Sequence, residues 1–262
     1  MSKRGPVLLG AGGTVGRRIV RAWGDMGVEA LCLTRRDWDM TGPPPELPAA
    51  RDRAVVVLPG AIPGDGRDMA ANIELARAGV AAGRFWGAPR IFVLSSSAVY
   101  GATGATPADE DSPPDPAGAY GRAKLEMEQA VAAGDVTALR LANVAGASEP
   151  FRTIASRQPA QLDRFPDGAG PSRSYAGPVT LARALAALAT QARDSLPPVL
   201  NLANPHPVAM AEIFAAASHP VTWRTAPESA VQKVHLDCTR LAAICALPDL
   251  DAAGLWAEVR AT

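Results

Sequence analysis

The 262-residue sequence predicts an α/β protein, a doubly wound parallel sheet with helices on both faces and a small C-terminal lobe. Three observations predict it. Short apolar runs alternate with helix-period segments through the first half, a glycine-rich loop joins the first such pair, and the chain turns loop-rich after Gly146. Strands separated by helices indicate βαβ units, with parallel strands and right-handed crossovers.

In order, residues 6–9 read as a strand, 15–23 as a helix, and 29–33 and 54–58 as strands. A helix at 69–83, a strand at 91–94, a helix at 120–133 and a strand at 137–141 follow. The runs 54–58 and 91–94 are apolar without alternation, as expected for strands covered on both faces. The Pro-rich segment 42–48 is a linker inside this half. Later come a helix at 179–192, a short strand at 199–202, and helices at 210–217 and 251–259, with 145–174 expected as loop. The division is a sheet domain at 1–146 and a small substrate lobe at 147–262, with segments returning to the sheet.

Composition excludes several classes. Hydrophobic residues make 48% and charged residues 20%, ordinary for a globular chain. The 26 basic and 26 acidic residues cancel, so no net field draws the protein to nucleic acid or to an anionic membrane. Cys32, Cys238 and Cys245 are odd in number and contain no C-x-x-C, which indicates neither a disulfide framework nor a metal site. The N-terminal apolar run after Lys3-Arg4 breaks at the glycines, too short for a signal peptide, and no membrane span is present. A soluble, cytoplasmic protein with a small-molecule substrate is expected.

Gly10-Ala11-Gly12-Gly13-Thr14-Val15-Gly16 follows the first strand and opens the first helix. Such a loop brings backbone close to a pyrophosphate at a helix N-terminus. The spacing is G-x-x-G-x-x-G through Gly10, Gly13 and Gly16, and the context is that of a Rossmann-type dinucleotide site. Thr34-Arg35-Arg36 ends the second strand, where an acid would select NAD and a guanidinium suits the 2′-phosphate of NADP. NADP(H) is therefore preferred and NAD(H) allowed, because Asp37 and Asp39 lie just beyond; a solvated Arg35-Arg36 surface pair is the plainer alternative.

Tyr120-Gly121-Arg122-Ala123-Lys124 sets a phenol and an ammonium on one helix face. An ammonium favours phenolate, so Tyr120 can exchange a proton with a carbonyl or hydroxyl oxygen while hydride moves. Ser95-Ser96-Ser97 sits at the carboxyl end of the strand at 91–94, where open α/β sheets hold their ligands.

Together these residues resemble the short-chain dehydrogenase/reductase superfamily, most closely its extended branch, the NAD(P)-dependent epimerase/dehydratase family. Asn72-Ile73-Glu74-Leu75 is similar to the family's Asn-led helix, and Ser95 through Gly101 to its Ser-Ser-x-x-Val-Tyr-Gly. Counting four back from Tyr100 makes Ser96 the catalytic hydroxyl, with Ser97 beside it as a substrate contact. The resemblance implies that Tyr120 is the acid/base and that Lys124 lowers its pKa and holds the nicotinamide ribose. Leu139-Arg140-Leu141-Ala142-Asn143-Val144 and Arg173-Ser174-Tyr175 are similar to later motifs, which implies that Asn143 and Arg173 face substrate. It also implies a homodimer through the helices at 69–83 and 120–133.

The departures are Pro59-Gly60-Ala61 in place of His-x-Ala-Ala, and Ser174 and Thr180 in place of aspartates. About 26 residues separate Gly146 from Arg173, and four prolines fall among them, which predicts a smaller substrate than a nucleotide-diphosphate sugar. The expected activity is NADP(H)-dependent hydride transfer to or from a small polar or sugar-like substrate. A sugar or nucleotide-sugar epimerase or dehydratase that retains its NAD(P) uses the same residues, with an insertion such as 101–118 completing a full nucleotide site, and a cofactor-sensing protein without turnover is the third reading.

Overall fold

The computed structural model describes residues 4–61, 66, 68–192 and 195–262. Lys3 of the N-terminal basic pair lies outside them. The first half runs β1 (Arg4–Leu9), α1 (Thr14–Asp25), β2 (Glu29–Leu33), β3 (Val55–Val57), α2 (Ala71–Phe85), β4 (Ile91–Ser96), α3 (Ala119–Val131) and β5 (Val136–Leu141). Then come β6 (Asn143–Val144), α4 (Phe151–Ala155), β7 (Ala160–Arg164), β8 (Ser172–Arg173), β9 (Tyr175–Ala176), α5 (Pro178–Leu188) and β10 (Val199–Leu202). β11 (Val208–Ala209), α6 (Met210–Ala216), β12 (Val221–Thr225), β13 (Lys233–Val234), α7 (Thr239–Ala242) and α8 (Ala252–Ala261) complete the chain.

Six strands form one parallel sheet in the order β10-β5-β4-β3-β1-β2. β10 joins from beyond residue 146, pairing Val199–Leu202 with Ala138–Leu141. Successive residues along each strand point to opposite faces, and both faces are apolar. Leu8, Val56, Phe92 and Leu139 pack with Ile19 and Trp23 of α1 and with Leu181 and Leu185 of α5. Val7, Val55, Ile91 and Val93 pack on the other side with Val80 of α2 and with Met127 and Val131 of α3. A strand buried on both sides has no polar positions to alternate, which is why these runs read as unbroken apolar stretches. Trp23 satisfies its indole by donating Nε1–H to Ala182 O at 2.7 Å, which links α1 to α5.

The lobe differs from the expectation of loop at 145–174. α4 and β7 form there, and β7 pairs in parallel with β12 from Ala160↔Val221 to Arg164↔Thr225. The pairing joins segments some sixty residues apart, so local periodicity carries no trace of it. Phe151, Tyr175, Ile213 and Leu255 make the core of the lobe. Among the described residues, no helix is long and apolar enough to cross a membrane.

Candidate active site

The strand order reverses between β1 and β3, and the carboxyl ends of β1, β2 and β4 there carry the glycine loop, Thr34 and Ser96. Ligands of open α/β sheets bind at such a reversal. Gly10 leaves β1 at φ +85°, in the left-handed region that favours glycine. Its N–H and that of Ala11 both donate to Leu33 O at 3.0 Å, which folds the loop over β2. A Cβ on Gly16 would collide with Gly10 O and the Ala11 backbone, so glycine lets α1 start tightly against the strand. Gly12, Gly13 and Thr14 are exposed, while Val15 is half-buried against the core. The helix start has no side-chain cap and no acid in its first turn, so its N–H groups remain open to an anion.

Arg35 and Arg36 are exposed beyond β2. Asp37 turns back instead: its Oδ2 accepts from Thr34 N at 2.8 Å and Thr34 Oγ1 at 2.7 Å. Those bonds, the side-chain one foremost, hold its carboxyl below the usual range. The nearest acid is thus engaged in closing the turn.

The second cluster is built by α3 against β4. The 3₁₀ turn Ser97–Tyr100 continues β4, and Gly121 lies so close to Ala98 O that any Cβ would collide with it. The absent side chain at 121 lets α3 press Tyr120 toward Ser96. β4 runs two residues past the expected 94, which fixes Ser96 at the strand terminus, where its Oγ accepts from Ala98 N at 3.2 Å. Tyr120 is half-buried, and burial raises its phenol above the ordinary value, opposed by a side-chain hydrogen bond with Ser96.

Lys124 is only 4% exposed and donates to Leu94 O at 3.0 Å. Burial lowers its pKa to about 8, against the opposing effect of Glu128. With the ammonium turned to Leu94, burial and Ser96 dominate the phenol, and the lowering expected from Lys124 is not expressed in this arrangement.

Asn72 completes the cluster from α2. Its Nδ2 donates to Met69 O and Ala61 O, yet its Oδ1 is buried and has no partner among the described residues. A Cβ on Gly60 would lie 2.7 Å from that oxygen and 3.0 Å from Lys124 Nζ. Gly60, part of the departure at 59–61, therefore opens the room in which Asn72 and Lys124 meet. An unsatisfied buried acceptor beside an ammonium with spare protons is a place for polar groups of a ligand. The glycine loop, Arg35, Lys124 and Asn72 Oδ1 together fit a nicotinamide dinucleotide.

The remaining expected residues sit as follows. Ser97 is buried at the start of the 3₁₀ turn. Asn143 on β6 stands opposite Tyr175 on β9 and hydrogen-bonds its phenol. Arg173 gives three of its N–H groups to backbone carbonyls, Ser172 O at 2.8 Å and Gln232 O and Val231 O at 2.7 Å. Thr180 receives the Glu258 carboxylate of α8, donating through N at 2.9 Å and Oγ1 at 2.7 Å. Among the described residues, no group of three or more His, Cys, Asp or Glu is gathered to hold a metal ion.

Fold and site define an α/β enzyme that binds a nicotinamide dinucleotide. The chain belongs to the NAD dependent epimerase/dehydratase family, whose sequence model matches residues 7–187. No curated protein sequence matches it. Among solved structures it is similar to MoeE5 in complex with UDP-glucose and NAD, at 23% identity and TM-score 0.75 over 98% of both chains. WbmG of Bordetella bronchiseptica, in complex with NAD and UDP, aligns at 22% identity and TM-score 0.73 over 98% of this chain and 96% of that one. The UDP-glucose-4-epimerase of Stenotrophomonas maltophila, with NAD and formylated UDP-arabinopyranose, aligns at 19% and 0.76 over 98% of each.

Proposed function

We propose that the protein transfers hydride at a carbinol carbon of a nucleotide-linked sugar, with Tyr120 as acid/base, Ser96 holding the reacting oxygen and Lys124 holding the nicotinamide ribose. The observation that carries this reading is the convergence of Tyr120, Ser96, Lys124 and the unpaired Asn72 Oδ1 at the sheet's carboxyl edge. When bound, the dinucleotide supplies the hydride acceptor or donor. Ser96 Oγ, beside Tyr120, orients the substrate oxygen, and the phenol takes or returns its proton. Lys124, turning from Leu94 O toward a bound ribose, would bring its charge nearer the phenol and favour phenolate.

The nucleotide sugar replaces the smaller substrate expected from the short segment before Arg173. Structures aligned over 98% of both chains hold UDP-glucose or a UDP-pentose, so chain length sets no such limit. Calorimetry with UDP, dTDP and GDP, cofactor present, tests this. Micromolar binding of one supports it, and no binding by any returns the assignment to a small polar carbonyl compound. Retention of the cofactor through the cycle suits the family. It predicts turnover without net absorbance change at 340 nm, whereas a net reductase consumes external NADPH.

For the cofactor, exposed Arg35 and the engaged Asp37 carboxylate favour NADP(H), with NAD(H) accepted. Arg35→Asp should weaken NADPH binding far more than NADH binding, and equal affinities in the parent protein would contradict the preference. Unpaired Cys32, Cys238 and Cys245 suit the reducing cytoplasm, and a homodimer would use the outer faces of α2 and α3.

A further inference from the structure

Lys124 is a buried charge without a direct counter-ion. It is 4% exposed, donates to Leu94 O at 3.0 Å, and makes no ion pair within 4 Å among the described residues. Among the described residues its polar surroundings begin with the Met127 thioether, 3.9 Å from Nζ on the same helix. Tyr120 and Glu128 lie one turn away on either side along α3, Asn72 faces it from α2, and Leu94 O and the Ser95 and Ser96 hydroxyls end β4. Arg140 on β5 and Tyr100 in the 3₁₀ turn lie beyond Glu128. Glu128 is the carboxylate in this set, and it is itself buried at 8% exposure.

A carboxylate four residues after a lysine on a helix would ordinarily bond to it directly. Here it does not, because Arg140 takes both oxygens. Arg140 Nε donates to Oε1 at 3.1 Å and Nη2 to Oε2 at 2.8 Å. The guanidinium is fixed in turn. It lies 4.7 Å over the Tyr100 ring, and the Tyr100 hydroxyl donates to Asn201 Oδ1 at 2.8 Å. Asn201 donates its backbone N–H to Glu110 Oε1 at 2.8 Å. The pair is a poor device for stability alone. Both charges are desolvated, Arg140 Nη1 is buried without a partner among the described residues, and an apolar pair would hold α3 to β5 as well.

We infer that Glu128 and Arg140 are positioning residues for Lys124: Glu128 keeps the buried ammonium protonated, and Arg140 holds that carboxylate back so that Lys124 stays free to bond cofactor. The inference rests on the reading of Lys124 as the cofactor-holding residue. Its test needs neither cofactor nor turnover, so it fails or succeeds independently of the proposed reaction. The effect of Glu128 on the Lys124 ammonium, opposing that of burial, agrees with the geometry.

The chain has three lysines, Lys3, Lys124 and Lys233, so ¹³Cε-lysine labelling gives a spectrum in which K3R and K233R assign the Lys124 signal. Its titration is followed in the parent, E128Q, R140M, R140K and the double variant E128Q/R140M. E128Q should lower the Lys124 pKa by about one pH unit, through loss of the counter-charge. R140M should raise it by about one pH unit, because the released carboxylate closes onto the ammonium. R140K, which keeps a cation on Glu128, should return it toward the parent value. The double variant replaces two buried charges by a neutral pair of similar size, so it keeps the test alive if a single variant does not fold. It should titrate below the parent. Shifts of the same sign in E128Q and R140M, or a double variant that titrates with the parent, would overturn the inference and leave the pair a structural contact.

Discussion

Lys124 joins burial to chemistry in one side chain. Its ammonium titrates at about 8 in the folded protein and at 10.5 when unperturbed. Between those values the unfolded chain holds the additional proton, so stability rises with pH across that window. The cost of the buried charge is fully present below about pH 8 and gone above about 10.5, a span of roughly 3 kcal/mol. Lys124→Met removes the titrating group. The unfolding free energy of the parent, measured in urea relative to Lys124→Met, should therefore climb by about that amount from pH 7 to 10.5. A difference that stays flat would mean that the ammonium is hydrated in the folded state. Spacing alone made Tyr120 and Lys124 legible, because i and i+4 share a helix face whatever the fold. It could not show the unpaired oxygen of Asn72 or the room at Gly60, since both depend on how α2, α3 and the loop after β3 approach one another. Nor could it join Glu128 to Arg140, whose contact depends on α3 packing against β5.

At the scale of elements, close approach decides where the chemistry sits. α3 meets the 3₁₀ turn at Gly121, where a Cβ would collide with Ala98 O and come within 2.9 Å of Pro116 Cβ. Gly121→Ala should push the helix outward, costing about 1–3 kcal/mol and separating Tyr120 from Ser96. Its kcat should then fall more steeply than its cofactor affinity, as turnover assays beside calorimetry would show; equal losses would mean that the helix shift disturbs the nucleotide cleft instead. Gly16→Ala should do the reverse, weakening cofactor binding first, because the collision is with the Gly10 turn. The inner sheet strands were readable because burial on both faces leaves unbroken apolar runs between turns, as at 54–58 and 91–94, within which β3 and the start of β4 form. β7 and β12 were not. Each is short, and β12 is largely exposed, so neither carries a pattern until the other is beside it.

Across the whole molecule, the glycine-loop helix is tied through Arg18 to the turn after β6 and to the end of α8. Its Nη2 donates to Gly146 O at 3.3 Å, and its Nη1 to Thr262 Oγ1 at 3.0 Å and Val259 O at 3.2 Å. Arg18→Met should lower stability by about 1–3 kcal/mol, since it strips a charged donor from several half-buried acceptors. Urea titration checks it, and an unchanged midpoint would show that the lobe holds its place through apolar packing alone. The gap of about 26 residues before Arg173 bears on substrate size only through how the whole chain folds around the cleft, so the proposed nucleotide sugar would need segments outside that gap to enclose it. In the proposed reaction Tyr120 moves the proton while the rest of the cleft holds the ligands. The most direct measurement compares turnover of a panel of UDP-, dTDP- and GDP-linked sugars by the parent and by Tyr120→Phe, with cofactor binding followed calorimetrically in both. Tyr120→Phe should lose about 100-fold or more in kcat while binding cofactor as the parent does; a Tyr120→Phe protein that turns over at the parent's rate would rule out Tyr120 as the acid/base.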